Sequence, residues 1–511
     1  MISRRTFLAA AALGTAGVAA ACTGSPSNTV GTPAPTTPPS PSPSSPSSPP
    51  PSSPPAPVPP DWPALRAKLP GGLVLPGEAG YPAAAQVYNP LFDSRKPAAV
   101  ARCTRPADVQ ACVDVAAKAR MPIAARSGGH SYAGYSNPDK ALVVDLHPMS
   151  GVDVRPDGTA VVGAGTRLID VYAGLANAGR CLPAGSCPTV GIGGLTLGGG
   201  IGVLARKYGL TCDKLVSAQV VTADGALVTA SAEQEPDLFW ALRGGGGGNF
   251  GIVTSFTFAT EPAPALTVFS LRFEGGAADV LGAWQSWVAD LPDEMWTNCV
   301  LSAGSPPSVR VGGCFVGSVA GCERQLARLG LSASSRFVTG KSYLDAMRYF
   351  GGCSQRSVAQ CHPQAEGGAL GRESFVASSR ILAKPVDPAA VVALLDGRSG
   401  LDLLLDSLGG AVSRVAPDAT AFPHRTALAS AQIYANTGAG RAAASRQVAE
   451  VRDGLGALAG AHGYVNYVDP GLPDWANAYY GANLPRLRKV AGTYDPDGVF
   501  AFAQGLTAPG R

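Results

Sequence analysis

The chain is short of charge and lacks the spacings that bind metal. Only 15% of its 511 residues are Asp, Glu, Lys or Arg, and the formal net charge is +4. No basic run is interleaved with aromatics, so nucleic acid is not an expected partner. Eleven cysteines are present, yet no two stand as Cys-x-x-Cys and no two histidines as His-x-x-x-His, which gives no support to a zinc site. The apolar run that ends at Ala21 is a short leader core rather than a membrane span. What the chain does have is apolar material, 46% of its residues, enough for two domains of ordinary size with real cores.

Residues 1–22 read as a signal peptide. Ser3-Arg4-Arg5-Thr6-Phe7-Leu8 resembles the twin-arginine export signal, which passes folded, cofactor-loaded proteins; an ordinary secretory leader that happens to hold two arginines is the alternative. Ala19-Ala20-Ala21-Cys22 resembles a lipoprotein box with Ala19 where Leu is usual, so a lipidated Cys22 would anchor the chain to a membrane. Residues 23–60 are almost entirely Pro, Ser, Thr and Gly, cannot bury a core, and read as a disordered stalk. Secretion or cell-surface display is the expected location. Outside the cytoplasm some cysteines should pair: Cys353 with Cys361, Cys314 with Cys322, and Cys299 with Cys314 across neighbouring strands are the alternatives, and spacing does not choose among them. With Cys22 and Cys187 otherwise engaged, the remainder is odd and at least one thiol stays free.

Three glycine-rich stretches organise the folded part: residues 126–134, 181–202 and 243–251. In the second, Val190, Ile192, Leu195, Leu197 and Ile201 alternate with the glycines, which a flexible linker would not do. Glycine there lets the backbone approach a guest closely, and a planar or anionic ligand fits. Around these stretches the pattern is mixed. Val109, Cys112, Val113 and Ala116 share a helical face over residues 108–120. Strands are expected at 97–104, 122–125, 141–146 and 159–163, and a helix through Leu168, Val171, Tyr172 and Leu175 that Gly179 ends. A hairpin follows at 215–222 and 226–229. Gly246-x-Gly248-x-x-Gly251 matches the dinucleotide fingerprint, but a helix at 237–242 precedes it and the β-rich run 252–258 follows, so a Rossmann fold is rejected. A nest of backbone N–H groups meeting an anion remains open. From Pro262 to about Gly463 the texture is α+β on an antiparallel sheet: strands at 267–273 and near Val300 and Val311, a helix through Leu281, Trp284 and Trp287, and another at 323–329. The tail holds a helix over about 477–490.

Four motifs in this order, Arg126-Ser-Gly-Gly-His130-Ser-Tyr132, Gly185-Ser-Cys187-Pro-Thr-Val-Gly-Ile-Gly-Gly194, Trp240-Ala-Leu-Arg-Gly-Gly-Gly-Gly-Gly-Asn-Phe-Gly-Ile-Val-Thr254 and Tyr464-x-Asn-Tyr-x-Asp469, resemble the berberine-bridge-enzyme-like FAD-linked oxidases. The resemblance implies an α+β chain. Residues 61–262 would form a two-subdomain FAD-binding domain of the vanillyl-alcohol-oxidase type, completed by residues 464–511, with an α+β substrate domain at 263–463 inserted between them. It implies FAD bonded through His130 to the 8α-methyl carbon and through Cys187 to C6; an imidazole nitrogen and a thiolate suit an electron-poor flavin. Arg126, Ser127, Gly128, Gly129 and Ser131 of the first motif, Val190, Gly191, Gly193, Gly194 and Gly198 of the second, Gly248, Asn249, Gly251, Ile252 and Val253 of the third, and Asn466 of the tail are the expected cofactor contacts. Without the resemblance, His130 reads as a hydrogen-bonded loop histidine and Cys187 as a buried or paired thiol.

Flavin chemistry implies that hydride leaves a substrate carbon while the adjoining hydroxyl loses a proton. Tyr464 is the first candidate base and Tyr467 the second; ionising a tyrosine near pH 7 takes roughly 4 kcal/mol of differential stabilisation. Both also read as packing residues of the tail. Gln432 stands where alkaloid-cyclising members of the family carry a catalytic glutamate, which argues for alcohol or sugar oxidation. Val190 stands where relatives admit or block oxygen, which favours O₂ as acceptor and hydrogen peroxide as product. Leu195 stands where many relatives have histidine. The competing readings are a dehydrogenase of the same fold with a non-oxygen acceptor, and a non-catalytic surface lipoprotein.

Overall fold

The computed structural model describes residues 56–507; the leader, Cys22 and most of the stalk lie outside the described residues. Helix Pro106–Ala119 begins with proline in its first turn and ends where Arg120 turns left-handed at φ 45°, and Val109, Cys112, Val113 and Ala116 are all buried on its inner face. It connects strands Ala99–Arg102 and Ile123–Arg126 of a four-stranded sheet in which both run parallel to Leu142–Asp145. Strand Thr159–Gly163 lies as expected, and pairs with Ile252–Ala259 in a second, five-stranded antiparallel sheet. The hairpin Leu215–Val221 and Leu227–Ser231 forms the far side of that sheet. Helix Pro236–Ala241 precedes the third glycine stretch and strand Ile252–Ala259 follows it, the order that excludes a Rossmann turn.

A seven-stranded antiparallel sheet is built from residues 266–436. Its order is Ser335–Lys341, Leu266–Phe273, Ser308–Val316, Met295–Ser302, Leu401–Ser407, Ala429–Asn436, Phe375–Leu382. Alternation decides its two faces. Ala429, Ala431, Ile433 and Ala435 enter the core formed with helices Ala277–Ala289 and Arg441–Ala459, while Gln432 and Tyr434 point to the opposite side. The helix expected at 323–329 runs Val319–Ala327, started by a Ser318 cap onto Gly321 N.

Two expectations are corrected. The tail helix is two helices, Trp475–Tyr480 and Leu484–Tyr494, because Gly481 turns left-handed at φ 48° and Pro485 opens the second helix. Cys299 does not face Cys314: it pairs with Val311, while Cys314 lies opposite Trp296. Among the described residues the disulfide joins Cys353 and Cys361, and Cys314 and Cys322 are both free thiols. Tyr479, Tyr480, Leu487 and Val490 of the tail share a core with Trp240 and Phe250, close to the third glycine stretch.

Candidate active site

Two glycine loops meet here with no side chain between their backbones. A Cβ on Gly128 would stand 2.2 Å from Gly191 N and 2.9 Å from Thr189 O, and one on Gly191 would stand 2.0 Å from Ser127 Oγ. Only glycine permits that approach. Strand Ile123–Arg126 delivers the first loop, and Ser127 Oγ fixes it by donating to Ala164 O at 2.6 Å. The second loop is stitched to residues 166–169: Leu168 N donates to Val190 O, Ile169 N to Pro188 O and Ile192 N to Thr166 O. Helix Ile192–Leu197 then starts on the inner side.

The loops wall a cavity of about 650 Å³, within the range of roughly 300–1,000 Å³ that cofactor-sized ligands occupy. Its lining includes Ser127, Gly128, Gly129, His130 and Ser131 from the first motif, and Val190, Gly191, Gly193 and Gly194 from the second. The third motif contributes Gly248, Asn249, Gly251, Ile252 and Val253, and the tail Asn466 and Tyr467. The structure therefore brings most of the sequence-predicted cofactor residues to one surface. It adds Arg95, Tyr132, Asp139 and residues 500–504, which sequence reasoning missed. Arg95 brings a cation to the wall, held by Ala133 O at 2.9 Å and by Gly134 O.

His130 stands in the wall with Tyr88 stacked on its ring, centroids 3.9 Å apart at 20°. Its Nε2 is 3.0 Å from Thr189 Oγ1, and Cys187 Sγ is 3.6 Å from the same oxygen. Cys187 is half-buried beside the cavity rather than among its lining residues. In the wall, Tyr132 lies parallel to Tyr467, centroids 5.5 Å apart at 3°, and meets Phe375 edge-on at 5.0 Å. Gln432 Nε2 donates to the Tyr132 hydroxyl. Phe375 in turn stacks on Tyr434 at 4.5 Å, whose hydroxyl donates to Glu373 Oε2 at 2.9 Å; burial, then Glu373, holds the Tyr434 phenol well above its ordinary range.

Comparison with known proteins fits this geometry. A family model described as an FAD binding domain matches residues 97–231, and one described as berberine and berberine like matches residues 463–507. An uncharacterised FAD-linked oxidoreductase of Bacillus subtilis is 34% identical over 458 residues, covering 86% of this chain and 98% of its own length. The chitooligosaccharide oxidase of Gibberella zeae is 32% identical over 439 residues, 80% of this chain and 87% of its own. Among solved structures, BBE-like 1 of Physcomitrella patens superposes with a TM-score of 0.81 at 30% identity, over 87% of this chain and 99% of that one. The chain belongs to the berberine-bridge-enzyme-like FAD-linked oxidases.

As an FAD-linked oxidoreductase of this family, the chain has the vanillyl-alcohol-oxidase type of flavin-binding fold, and the glycine-walled cavity is where the residues present fit FAD. Besides Cys187, four sequence-predicted residues lie off its wall. Arg126 is buried and holds the end of its strand, donating to Ala84 O at 2.7 Å and Asp145 Oδ2 at 3.0 Å. Gly198 makes room for Asn466, whose Oδ1 would be 2.1 Å from a Cβ there. Gln432 reaches the site through Tyr132. Tyr464, the first candidate base, does not line the cavity. Its buried hydroxyl accepts from Gly200 N at 2.8 Å, Ile201 N at 3.3 Å and Asn466 Nδ2 at 2.8 Å. Burial pushes that phenol up to about 12 against the pull of those donors. Tyr467, the second candidate, lies on the wall, which the tail's Tyr479 and Tyr480 also line.

Proposed function

We propose that this enzyme holds FAD by two bonds, from His130 and Cys187, and oxidises a hydroxyl-bearing carbon of a sugar or another alcohol, with dioxygen reduced to hydrogen peroxide. The supporting observation is the placement of His130 in the cavity wall with the Cys187 thiol within reach of the same threonine hydroxyl. Bound flavin supplies the hydride acceptor. The glycine loops would lie against its ring, and Arg95 would offset negative charge of its diphosphate.

The aromatic residues of the wall then have distinct tasks. Tyr467, ionised to its phenolate at a cost of roughly 4 kcal/mol near pH 7, takes the hydroxyl proton at its phenolic oxygen as the hydride leaves, and the concerted transfer avoids a free substrate alkoxide. Tyr132, stacked against Tyr467 and held by Gln432, orients the substrate hydroxyl. The parallel rings of Tyr132 and Tyr467 with Phe375 edge-on present apolar faces of the kind that pack on sugar C–H surfaces, a chemistry in keeping with the chitooligosaccharide and xylooligosaccharide oxidases among the relatives. Residues 61–262 with 464–511 hold the cofactor in this reading, and 263–463 supply the substrate side. Val190 lines the wall, and a valine at that family position supports dioxygen as the acceptor. Export by the twin-arginine route, with Cys22 as a lipid anchor, is part of the same proposal and rests on the leader alone. The test is a peroxide-coupled screen of oligosaccharides, monosaccharides and simple alcohols on the purified flavin-loaded chain. Peroxide formed in step with substrate supports the reading; turnover with an artificial acceptor and no peroxide would make the enzyme a dehydrogenase.

A further inference from the structure

The two residues assigned to the flavin bonds share one neighbour, and that neighbour is fixed from behind. Thr189 is 2% exposed, its Oγ1 is 3.0 Å from His130 Nε2 and 3.6 Å from Cys187 Sγ, and the flavin-binding reading above gives it no task of its own. A hydroxyl has one hydrogen to donate and lone pairs to accept with, so the polarity of this bridge has two forms. In one, Thr189 donates to His130 Nε2 and accepts from the thiol; the imidazole lone pair at Nε2 is then occupied and the sulfur keeps its proton. In the other, Thr189 accepts from Nε2–H and donates to sulfur. That form puts the imidazole lone pair on Nδ1 and stabilises the thiolate, which is the nucleophilic state of cysteine.

We propose that Thr189 is the positioning residue for both flavin bonds, accepting from His130 Nε2–H and donating to the Cys187 sulfur as it ionises. This rests on the two-bond reading given above. Arg167 keeps the threonine in place: its buried guanidinium donates to Thr189 O at 2.5 Å and, through Nε at 2.7 Å and through Nη2, to both carboxylate oxygens of Glu366. Glu366 follows the disulfide-closed loop of Cys353 and Cys361, which His362 also pins to Asp170 at 2.9 Å. A strap from residues 353–366 therefore braces the bridge. Each flavin bond replaces one flavin hydrogen, from the 8α-methyl group or from C6. That hydrogen and the one lost from imidazole N–H or thiol S–H become the two hydrogens of the reduced ring system, and dioxygen removes them as hydrogen peroxide before the second bond forms.

The experiment compares the full-length chain with Thr189→Val, Thr189→Ser and Glu366→Gln, harvested at successive times after induction, with thermal melts to confirm folding. Denatured samples are digested, and mass spectrometry reads the share of chains whose flavin joins both the His130 and the Cys187 peptide. Losing a charge-assisted hydrogen bond should lower the early doubly bonded share of Thr189→Val roughly ten- to a hundredfold. Thr189→Ser should restore most of it, and Glu366→Gln should fall between. Thr189→Val linked twice at the wild-type rate would overturn the proposal, as would a folded Thr189→Ser no better than the valine variant. If Thr189→Val does not accumulate folded, an unchanged early share in Glu366→Gln overturns it instead. A wild-type chain that releases all its flavin on denaturation would overturn both this proposal and the two-bond reading, whereas a doubly bonded wild type beside a doubly bonded valine variant removes this proposal alone.

Discussion

Replacing Tyr464 and Tyr467 by phenylalanine, one at a time, separates a structural tyrosine from one that works on substrate. Tyr464→Phe removes a hydroxyl that accepts from Gly200 N, Ile201 N and Asn466 Nδ2. Asn466 keeps a second partner, Leu195 O at 2.9 Å, so the loss falls on the two backbone N–H groups. Each buried donor left without a partner costs about 1–3 kcal/mol. The Ile201 contact is long at 3.3 Å, and dropping the phenol's own desolvation offsets part, so the net destabilisation should be about 2–3 kcal/mol. Tyr467→Phe, on the half-buried cavity wall, should cost less than about 1 kcal/mol. The assay is paired: urea unfolding followed by tryptophan fluorescence, and turnover per flavin retained after denaturation. Tyr464→Phe should lower the urea midpoint and keep turnover within about threefold of wild type, while Tyr467→Phe should keep the midpoint and lose about 10²-fold or more in turnover. The opposite outcome, a stable Tyr464→Phe enzyme that has lost turnover, would refute the assignment and return the base to Tyr464.

Two further outcomes follow from packing and charge. Gly128→Ala would put a Cβ 2.2 Å from Gly191 N; the loops must part, at about 1–3 kcal/mol for overpacking, and flavin content per chain, read by absorbance, should fall sharply. His424 is buried with Nε2 3.1 Å from Tyr479 O, and burial followed by the neighbouring His462 depresses it from 6.5 to about 4. The unfolded chain thus binds the extra proton first: the stability is present above about pH 6.5 and is lost as pH falls through about 4, by roughly 3 kcal/mol in all. The urea midpoint should drop across that window in the wild type, and more shallowly in His424→Gln.

What could be read in advance depended on how local its cause is. The helix over 108–120 and the strand at 159–163 follow from periodicity and caps within one segment, and both formed within two residues of expectation. The glycine density pointed only to a planar or anionic guest lying close to the backbone, and it was the resemblance carried by the ordered motifs that implied FAD. The partners that complete the site come from distant chain: Phe375 reaches Tyr132 from the edge of the seven-stranded sheet, and Arg95 and residues 500–504 carry no motif at all. Tyr464 and Tyr467 are three residues apart with rings 5.0 Å apart at 79°, and the turn Val465–Tyr467 that aims one at the cavity and the other into the core leaves no trace in composition. Thr189 did leave a signal, a hydroxyl two residues after the thiol, whose meaning appears only when His130 is brought beside it. Register ruled out one of the cysteine pairings, since Cys299 and Cys314 are offset on their paired strands.

Whether one flavin is held by two residues of this chain is read directly from the mass of its flavopeptides. After acid denaturation and proteolysis of the purified wild-type chain, the flavin should remain bound and should join two peptides, one containing His130 and the other Cys187. His130→Ala and Cys187→Ala should each leave a single linkage, and the double variant a flavin released by acid. A colourless protein, a wild-type flavin that acid sets free, or a doubly linked adduct that survives in either single variant would contradict the account.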